Sequence, residues 1–451
     1  MNSFSQSVEK AIGNWSGIIN LPTGKLEMIF KISENDSGTL VSKLDVPAQG
    51  AKDLPVAETR FSSDSLFLNV AMILGNYEGK FTSDSTIEGN WKQSGMTFPL
   101  SLKKTTIITE LKRPQTPKPP FPYQIKDVEY VNPKSRLKLA GTLTLPENTK
   151  TCPAIVLISG SGAQDRDETL FGHKPFLVIA DYLTRHGIAV LRVDDRGVGG
   201  SEGNIRDATS EDFAGDVEAG VNFLKTVSEI NPKQIGLIGH SEGGLIAPLV
   251  ATQYTDIAFI VLLAGPGISG QQILYAQARL LNKAAGATDE QIEQNRKLQE
   301  NIFSILLTEK DSVKRISSLQ SAYTNGAYSM MNADQKMAID KQIASIDTKW
   351  FKFFLTYDPF PTLAKVKCPV LALDGSKDLQ VPADENLEAI ENALKKGGNK
   401  NFKTIKLEGL NHLFQHCKTG LPTEYAQIEE TISPEVLEII NNWIWNSALI
   451  H

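Results

Sequence analysis

The fold is indicated most clearly by residues 235–244, which read Ile235-Gly236-Leu237-Ile238-Gly239-His240-Ser241-Glu242-Gly243-Gly244. They contain the pattern Gly-x-Ser-x-Gly, in which the serine occupies a very tight strand-to-helix turn that excludes larger side chains two positions away. The bare pattern is weakly specific. An apolar run at 235–238 precedes it, however, and a helix-competent run at 245–252 follows it. This context favours Ser241 as a catalytic nucleophile over an ordinary turn serine.

A serine nucleophile needs an imidazole base that is itself oriented by a carboxylate. In a strand–turn–helix arrangement of this kind the chain order is serine, acid, histidine. Of the six histidines, two precede Ser241, one is its neighbour in the turn and one ends the chain, which leaves His412 and His416. His412 is favoured as the base, because it lies in the loop after the apolar strand predicted at 402–407.

The acid is expected in the loop after the apolar run 370–373. Asp378 lies in that loop, in a glycine-containing turn, and is the favoured residue. Asp374 is nearer the strand and better suited to capping the turn, and Asp384 falls in the helix expected next. The sequence therefore predicts a catalytic triad of Ser241, Asp378 and His412.

An oxyanion hole requires two backbone N–H donors. One is expected from the residue after the nucleophile, Glu242, and the other from a loop after an earlier strand. The small-residue loop 159–164 fits this role. Ser161 is the favoured donor, with Gly162 or Ala163 as alternatives, and a plain flexible loop is the competing interpretation.

The N-terminal part of the chain has the pattern of β structure. Short alternating segments are separated by turn residues, and aromatic side chains stand beside glycines, which is typical of a strongly bent antiparallel sheet. We predict a small all-β, barrel-like domain over 1–112, with Trp15, Tyr77 and Trp91 in its core. Five prolines within 113–122 predict a stiff, extended linker.

The remaining residues, 123–451, alternate short apolar runs with helical patterns. Runs without polar alternation predict strands covered on both faces, and hence a doubly wound, mostly parallel α/β sheet. From about 271 to 347 the pattern is helical and polar-rich, with no strand. We interpret that segment as a helical cap inserted over the C-terminal edge of the sheet.

Composition excludes several classes of protein. The 451 residues carry 46 basic and 52 acidic side chains, a net charge of −6, so the basic excess of a nucleic-acid-binding protein is missing. No apolar run approaches the roughly 18 residues of a membrane span. The spacing of His412 and His416 resembles a metal-binding pair, but the glutamate expected beside the first histidine is absent. We expect no metal and no other cofactor.

The start of the sequence leaves the compartment open. Residues 1–14 are polar and lack the apolar segment of a secretory leader. The expectation is a cytoplasmic protein if Met1 is the native start, and a periplasmic or secreted one if a leader has been removed. The oligomeric state is equally open.

Together these motifs resemble the α/β-hydrolase superfamily, specifically the bacterial serine carboxylesterases near its dienelactone-hydrolase and prolyl-oligopeptidase branch. The matching segments are Ser159-Gly160-Ser161-Gly162, Asp165-Arg166-Asp167, Asp194-Asp195-Arg196-Gly197, Gly239-His240-Ser241-Glu242-Gly243-Gly244, Asp374-Gly375-Ser376-Lys377-Asp378 and Leu410-Asn411-His412. They extend over nearly three-quarters of the chain and are specific for fold and triad rather than for substrate. Some members carry an N-terminal lipocalin-like β domain, which residues 10–104 resemble.

The resemblance implies hydrolysis of a small-molecule carboxylic ester, with a short or aromatic acyl group, through an acyl-enzyme. It also implies that Trp350, Phe354 and Tyr357 line the acyl pocket, although their spacing equally fits a helix that packs its aromatic side chains on the sheet. A serine peptidase of the same fold is the first alternative, since the same triad cleaves amides. A ligand- or glycan-binding protein with an idle hydrolase domain is the alternative from another class.

Overall fold

The computed structural model describes residues 9–21, 24–49, 51–93, 96–106, 112–147, 150–254 and 256–448. The strands are β1 (Gly13–Leu21), β2 (Gly24–Glu34), β3 (Leu40–Val46), β4 (Ala51–Pro55), β5 (Glu58–Ser62), β6 (Ser65–Val70), β7 (Gly75–Ser83), β8 (Thr86–Gln93), β9 (Met96–Thr105), β10 (Tyr123–Val131), β11 (Lys138–Pro146), β12 (Cys152–Ile158), β13 (Ala189–Val193), β14 (Ile230–His240), β15 (Ile260–Leu263), β16 (Val370–Gly375) and β17 (Phe402–Leu407). The α-helices are α1 (Pro175–Arg185), α2 (Ser210–Leu224), α3 (Glu242–Gln253), α4 (Gly270–Ala284), α5 (Asp289–Thr308), α6 (Ser312–Thr324), α7 (Ala333–Ile346), α8 (Lys349–Thr356), α9 (Phe360–Leu363), α10 (Ala383–Lys396), α11 (Pro422–Tyr425) and α12 (Pro434–Trp443).

The N-terminal strands form one curled antiparallel sheet, in the order β4-β3-β2-β1-β9-β8-β7-β6-β5. The curl brings the two halves of the sheet together, and Thr59 Oγ1 on β5 donates to Ser42 Oγ on β3 at 2.9 Å. Trp15, Tyr77 and Trp91 are each at most 1 % exposed inside the curl. The predicted all-β domain and the core position of these three aromatic residues are both confirmed.

Glycines make room for these aromatic side chains, as the sequence pattern predicted. A Cβ atom on Gly75 would lie 2.1 Å from the Trp91 ring. On Gly89 it would lie 2.3 Å from the backbone oxygen of Glu78 and 2.6 Å from the Cα atom of Gly79. Both contacts of Gly89 are with backbone atoms of the paired strand β7, so no side-chain movement can relieve them.

The second sheet has the order β10-β11-β13-β12-β14-β15-β16-β17. The β10–β11 hairpin joins it through the antiparallel β11–β13 pair, and the strands from β13 to β17 pair in parallel. Helices α2, α3 and α10 cover one face and helices α1 and α12 cover the other. The predicted doubly wound, mostly parallel sheet is confirmed. Since parallel strands end at the same edge, the loops after β12, β14, β16 and β17 meet there.

The helical insertion lies between β15 and β16, where the sequence pattern predicted it, and contains helices α4 to α9. By its contacts the chain forms two compact units. The first comprises the described residues of Met1–Lys112, Tyr323–Gln342 and Thr423–Glu429, and the second those of Arg113–Ala322, Ile343–Pro422 and Glu430–His451. Part of the insertion thus belongs to the unit of the N-terminal sheet. Where the domains begin and end stays a prediction.

The proline-rich segment is fastened to the second unit by side chains at its start. Arg113 Nη2 donates to the backbone oxygen of Phe171 at 2.7 Å, and Gln115 Nε2 donates to that of Ile432 at 2.7 Å. Among the described residues, no helix combines the length and apolar composition that crossing a bilayer requires.

We predict that Gly89→Ala lowers the free energy of unfolding by about 1–3 kcal/mol, the range typical of overpacking in a core. The reason is the 2.3 Å approach of the new methyl group to the Glu78 carbonyl. Urea denaturation followed by tryptophan fluorescence measures the effect. The control is Asn90→Ala at the next, exposed position of β8, and equal stability of the two variants would contradict the packing argument.

Candidate active site

Ser241 occupies the tight turn between β14 and α3. Its backbone has φ 51° and ψ −115°, a strained conformation for a residue other than glycine. A Cβ atom on Gly239 would lie 2.0 Å from the backbone oxygen of Gly243, and one on Gly243 would lie 2.1 Å from that of Ile158. The turn expected of a nucleophile is therefore present, and it requires glycine at both flanking positions.

His412 and Asp378 form a buried hydrogen-bonded pair. His412 Nδ1 lies 2.6 Å from Asp378 Oδ2, and the two residues are 5 % and 4 % exposed. The other carboxylate oxygen, Oδ1, accepts backbone N–H groups from Gln380 at 2.7 Å and Val381 at 2.9 Å. This arrangement places the Nδ1 proton of His412 toward Asp378 and leaves Nε2 as the ring nitrogen that can take up a proton.

The pair is connected to the nucleophile turn through His240, the neighbour of Ser241. The rings of His240 and His412 are 4.9 Å apart between centroids, and His240 Nε2 lies 3.0 Å from the His412 carbonyl oxygen. Within the described residues neither Ser241 Oγ nor His412 Nε2 has a hydrogen-bond partner. In enzymes without bound substrate, the hydrogen bond between a catalytic hydroxyl and its imidazole base is often long, and it tightens when substrate binds.

His416, the alternative base, lies at the surface. Its side chain is 62 % exposed, and its Nδ1 atom lies 2.9 Å from Glu430 Oε2. The structure thus brings Ser241, Asp378 and His412 to one edge of the sheet and pairs His416 with a different carboxylate.

The loop after β12 passes directly beside the nucleophile. A Cβ atom on Gly160 would lie 3.3 Å from Ser241 Cβ. In the part of the chain that the structure describes, the backbone N–H groups of Ser161 and Glu242 have no hydrogen-bond acceptor. Both predicted oxyanion donors are therefore available.

The side chain of Asp195 holds this loop by hydrogen bonds at both of its ends. Its carboxylate accepts Ser159 Oγ at 2.7 Å and the backbone N–H of Gln164 at 2.9 Å. Burial and, to a smaller extent, the nearby carboxylates of Glu168 and Glu242 raise the pKa of Asp195 to about 7, although the two hydrogen bonds lower it. The loop is held in place rather than free, which the sequence did not reveal.

The side chain of Glu242 binds Trp350, one of the residues predicted to contact the substrate. Its Oε1 atom accepts Ser210 Oγ and Trp350 Nε1, each at 2.6 Å. Burial raises the pKa of this carboxyl group, while the two hydrogen bonds oppose the rise. Trp350 stacks on Phe354 with ring centroids 5.4 Å apart and an interplanar angle of 8°.

Packing and hydrogen bonds within the protein therefore account for much of the aromatic content of helix α8 and the residue after it. Phe354 is buried in the core of the second unit, and Tyr357 donates its hydroxyl to Thr362 Oγ1 at 2.8 Å. Contact of Trp350, Phe354 and Tyr357 with a substrate stays a prediction.

A narrow cavity of about 50 Å³ lies behind the loop of Gly160 and the side chain of Glu242. Its apolar lining includes Val156, Phe213 and Ile246. A water molecule needs about 10–15 Å³ of such space. The cavity can therefore hold a few water molecules or a very short acyl group.

Asp374 has a role that sequence reasoning missed. It is 1 % exposed, and its Oδ1 atom accepts the N–H of Gly375 at 2.8 Å, which holds the turn as expected. Oδ2 receives no hydrogen bond from the described residues and lies against Asp378. Burial first, and then the negative charge of Asp378, raise the pKa of Asp374 well above its usual range. The buried position beside Asp378 therefore favours the protonated form of Asp374.

Comparison with known families agrees with this fold. Residues 174–415, more than half of the chain, match the family described as serine aminopeptidase, S33. The chain belongs to this family. It is a hydrolase with the α/β-hydrolase fold that its motifs predicted.

Individual relatives are distant. The chain is similar to the esterase EstD of Thermotoga maritima, at 24 % identity over 331 residues, which cover 71 % of this chain and 70 % of that protein. Among solved structures, Est1E of Butyrivibrio proteoclasticus with bound ferulic acid is 20 % identical, with a TM-score of 0.43, covering 71 % of this chain and 98 % of that one. The α/β hydrolase GrgF of a Penicillium species is 17 % identical, with a TM-score of 0.43, covering 72 % and 99 %.

We predict that Asp374→Asn makes the protein more stable than the wild type at pH 8, with the difference vanishing toward pH 4. The folded protein holds the Asp374 proton more tightly than the unfolded chain, whose carboxyl titrates near 3.8. Its stabilising contribution is therefore complete below that value and is lost as the pH rises through the folded pKa. Asparagine keeps a donor toward Asp378 without titrating. The gain is about 1.4 kcal/mol for each unit by which the folded pKa is raised, counted up to pH 8.

Urea denaturation at pH 4, 6 and 8 measures this difference. The matched control is Asp384→Asn, because Asp384 has a side chain that is 82 % exposed and pairs with Lys406 at the surface. A stability difference between Asp374→Asn and the wild type that is the same at all three pH values would show that Asp374 does not carry the extra proton.

Proposed function

We propose that the protein is a serine carboxylesterase that acts through an acyl-enzyme. Ser241 attacks the ester carbonyl, His412 Nε2 accepts the serine proton and returns it to the leaving alcohol, and Asp378 orients the imidazole and stabilises its charged form. A water molecule activated by His412 then releases the acid. The observation that carries the proposal is the buried 2.6 Å pair of His412 and Asp378 at the sheet edge where the strained Ser241 turn lies.

The negative charge that develops on the carbonyl oxygen needs donors that are already in place. The N–H groups of Ser161 and Glu242 are proposed for this role. Their support is that both are without an internal acceptor among the described residues, and that Gly160 lies against Ser241. Removing one oxyanion donor in a serine hydrolase typically costs about 3–4 kcal/mol of transition-state stabilisation.

The narrow cavity lined by Gly160, Gly162 and Glu242 supports a short acyl group among the esters considered. Its volume of about 50 Å³ suits an acetyl-sized group rather than a long chain. An aromatic acyl group would have to lie elsewhere, against Trp350 and the helix that carries it. We also infer that the curled N-terminal sheet over 1–112 is a lipocalin-like domain, joined by the 113–122 linker to the hydrolase domain at 123–451.

We predict that Ser241→Ala and His412→Gln each lower kcat for p-nitrophenyl acetate by about 10³-fold or more, since removing either member of a triad disables the whole unit. His416→Gln is the matched control and should keep wild-type activity, because its imidazole pairs with Glu430 at the surface. A fluorophosphonate should label the wild type at Ser241 and leave Ser241→Ala unlabelled.

Full activity of Ser241→Ala would show that Ser241 is not the nucleophile. Loss of activity in His416→Gln with retention in His412→Gln would exchange the two histidines. Failure of the wild type to react with the fluorophosphonate would favour a binding protein with an idle hydrolase domain.

A serine peptidase is the second candidate, and the description of the matching family favours it. The same triad and oxyanion donors serve amides as well as esters. Comparing kcat/KM for an aminoacyl p-nitroanilide with that for a p-nitrophenyl ester of the same acyl group decides between the two. Faster cleavage of the amide would replace the esterase proposal.

We predict that Trp350→Phe raises KM for p-nitrophenyl esters about 5-fold and changes kcat less. It removes the hydrogen bond to Glu242 Oε1, and a bond of this kind is worth about 1 kcal/mol or somewhat more. Steady-state kinetics over a series of acyl lengths measures the change. Trp445→Phe, at an exposed position two residues after the end of α12, is the control. An unchanged KM for every ester would remove Trp350 from the substrate pocket.

A further inference from the structure

His240 lies between two hydrogen-bond acceptors. Its Nδ1 atom is 2.9 Å from Glu168 Oε1, and its Nε2 atom is 3.0 Å from the carbonyl oxygen of His412. A neutral imidazole has one N–H group and can satisfy only one of these partners, whereas the imidazolium donates to both. The geometry therefore fits a positively charged His240 paired with a negatively charged Glu168.

Glu168 connects His240 to the loop after β12. The same Oε1 atom accepts the backbone N–H of Gly160 at 2.7 Å, and Gly160 lies in the loop of the proposed oxyanion donor. Glu168 is 1 % exposed and has a backbone φ of 51°. A buried glutamate in this strained conformation persists only where its contacts hold it there.

The charged groups around His240 agree with this reading. Burial by itself lowers the pKa of His240, but the charge and hydrogen bond of Glu168, the carbonyl of His412 and the charge of Asp378 together raise it. Asp195 faces Glu168 on the side of the loop that it braces. The His412 ring lies close by, with its centroid 4.9 Å from that of His240.

We propose that Glu168 and His240 are positioning residues: a buried ion pair that fixes the Gly160 loop and the His412 backbone in one frame and directs a positive charge at the His412 ring. The inference deepens the proposed function and depends on it for its effect on catalysis. Because a cation beside an imidazole disfavours its protonation, the charge on His240 favours the neutral form of His412, which can accept the Ser241 proton, more than an uncharged residue at position 240 would.

The first experiment is the pH dependence of kcat/KM for p-nitrophenyl acetate in the wild type, His240→Gln and Glu168→Gln. In His240→Gln the acidic limb, which reports the free base, should move to higher pH by about 0.5–1 unit, and kcat should fall about 10- to 100-fold. This direction holds whether Glu168 then stays ionised or takes up a proton, since either state lacks the cation. His416→Gln, which breaks a surface histidine–glutamate pair, should leave the profile unchanged.

A purely structural role would lower activity without moving the acidic limb. An acidic limb in His240→Gln that coincides with that of the wild type would therefore overturn the electrostatic part of the proposal. Wild-type kcat in both His240→Gln and Glu168→Gln would overturn the positioning part.

The second experiment needs no substrate. Side-chain ¹⁵N NMR of the full-length wild type, with the His240 signal assigned by its loss in His240→Gln, should show both ring nitrogens protonated from pH 5 to pH 8. In Glu168→Gln the same signal should change to that of a neutral ring within this range. A neutral His240 in the wild type at pH 7 would overturn the ion pair. If the protein hydrolyses no ester but His240 is charged, the proposed function fails and the ion pair stands.

Discussion

The active site depends on how closely helix α3 approaches the strands beneath it. A Cβ atom on Gly243 would lie 2.1 Å from the Ile158 carbonyl, and one on Gly244 would lie 2.6 Å from the Cα atom of Gly265. This close approach forces Ser241 into its positive-φ turn, at a cost of about 1–3 kcal/mol. Leu237 on the strand and Ile246 on the helix are buried, and burying each such side chain contributes about 1.5–3 kcal/mol. The packing of the two elements can therefore hold a strain that the turn alone could not sustain.

The carboxyl groups of Asp378, Glu168, Asp374 and Glu242, all buried at this edge of the sheet, are compensated in three ways. Taking an ion out of water costs several kcal/mol unless a partner offsets it. Asp378 and Glu168 are each paired with a histidine ring, whereas burial favours the protonated form of Asp374. Glu242 accepts hydrogen bonds from a hydroxyl and an indole. The carboxylates of Asp378 and Glu168 thus lie next to the two imidazoles, where the first orients the proposed base and the second holds the backbone of Gly160.

Strand ends explain how much of the site could be predicted. Ser241, Asp378 and His412 were found because each follows an apolar run, and parallel strands bring such loops to one edge. Glu168 gave no comparable signal, since its partners at Gly160, His240 and His412 are joined to it only by the folded chain. In the N-terminal sheet, β4 and β5 could not be predicted from an alternating apolar pattern. They form the two edges of the sheet and bury little on either face. The grouping of Tyr323–Gln342 with that sheet depends on packing that periodicity does not encode.

Glu242 shows why a clear triad does not reveal the substrate. Its backbone N–H belongs to the turn that the motif specifies, and that part can be predicted. Its side chain is held by Ser210 on α2 and Trp350 on α8, which are 32 and 108 residues away along the chain. The wall of the proposed acyl pocket would therefore come from the helices around this one carboxyl group, whereas the proposed catalytic residues come from the loops of the sheet. Specificity can change with the position of α8 while the triad stays the same, as expected where function resides in sites carried by a common fold.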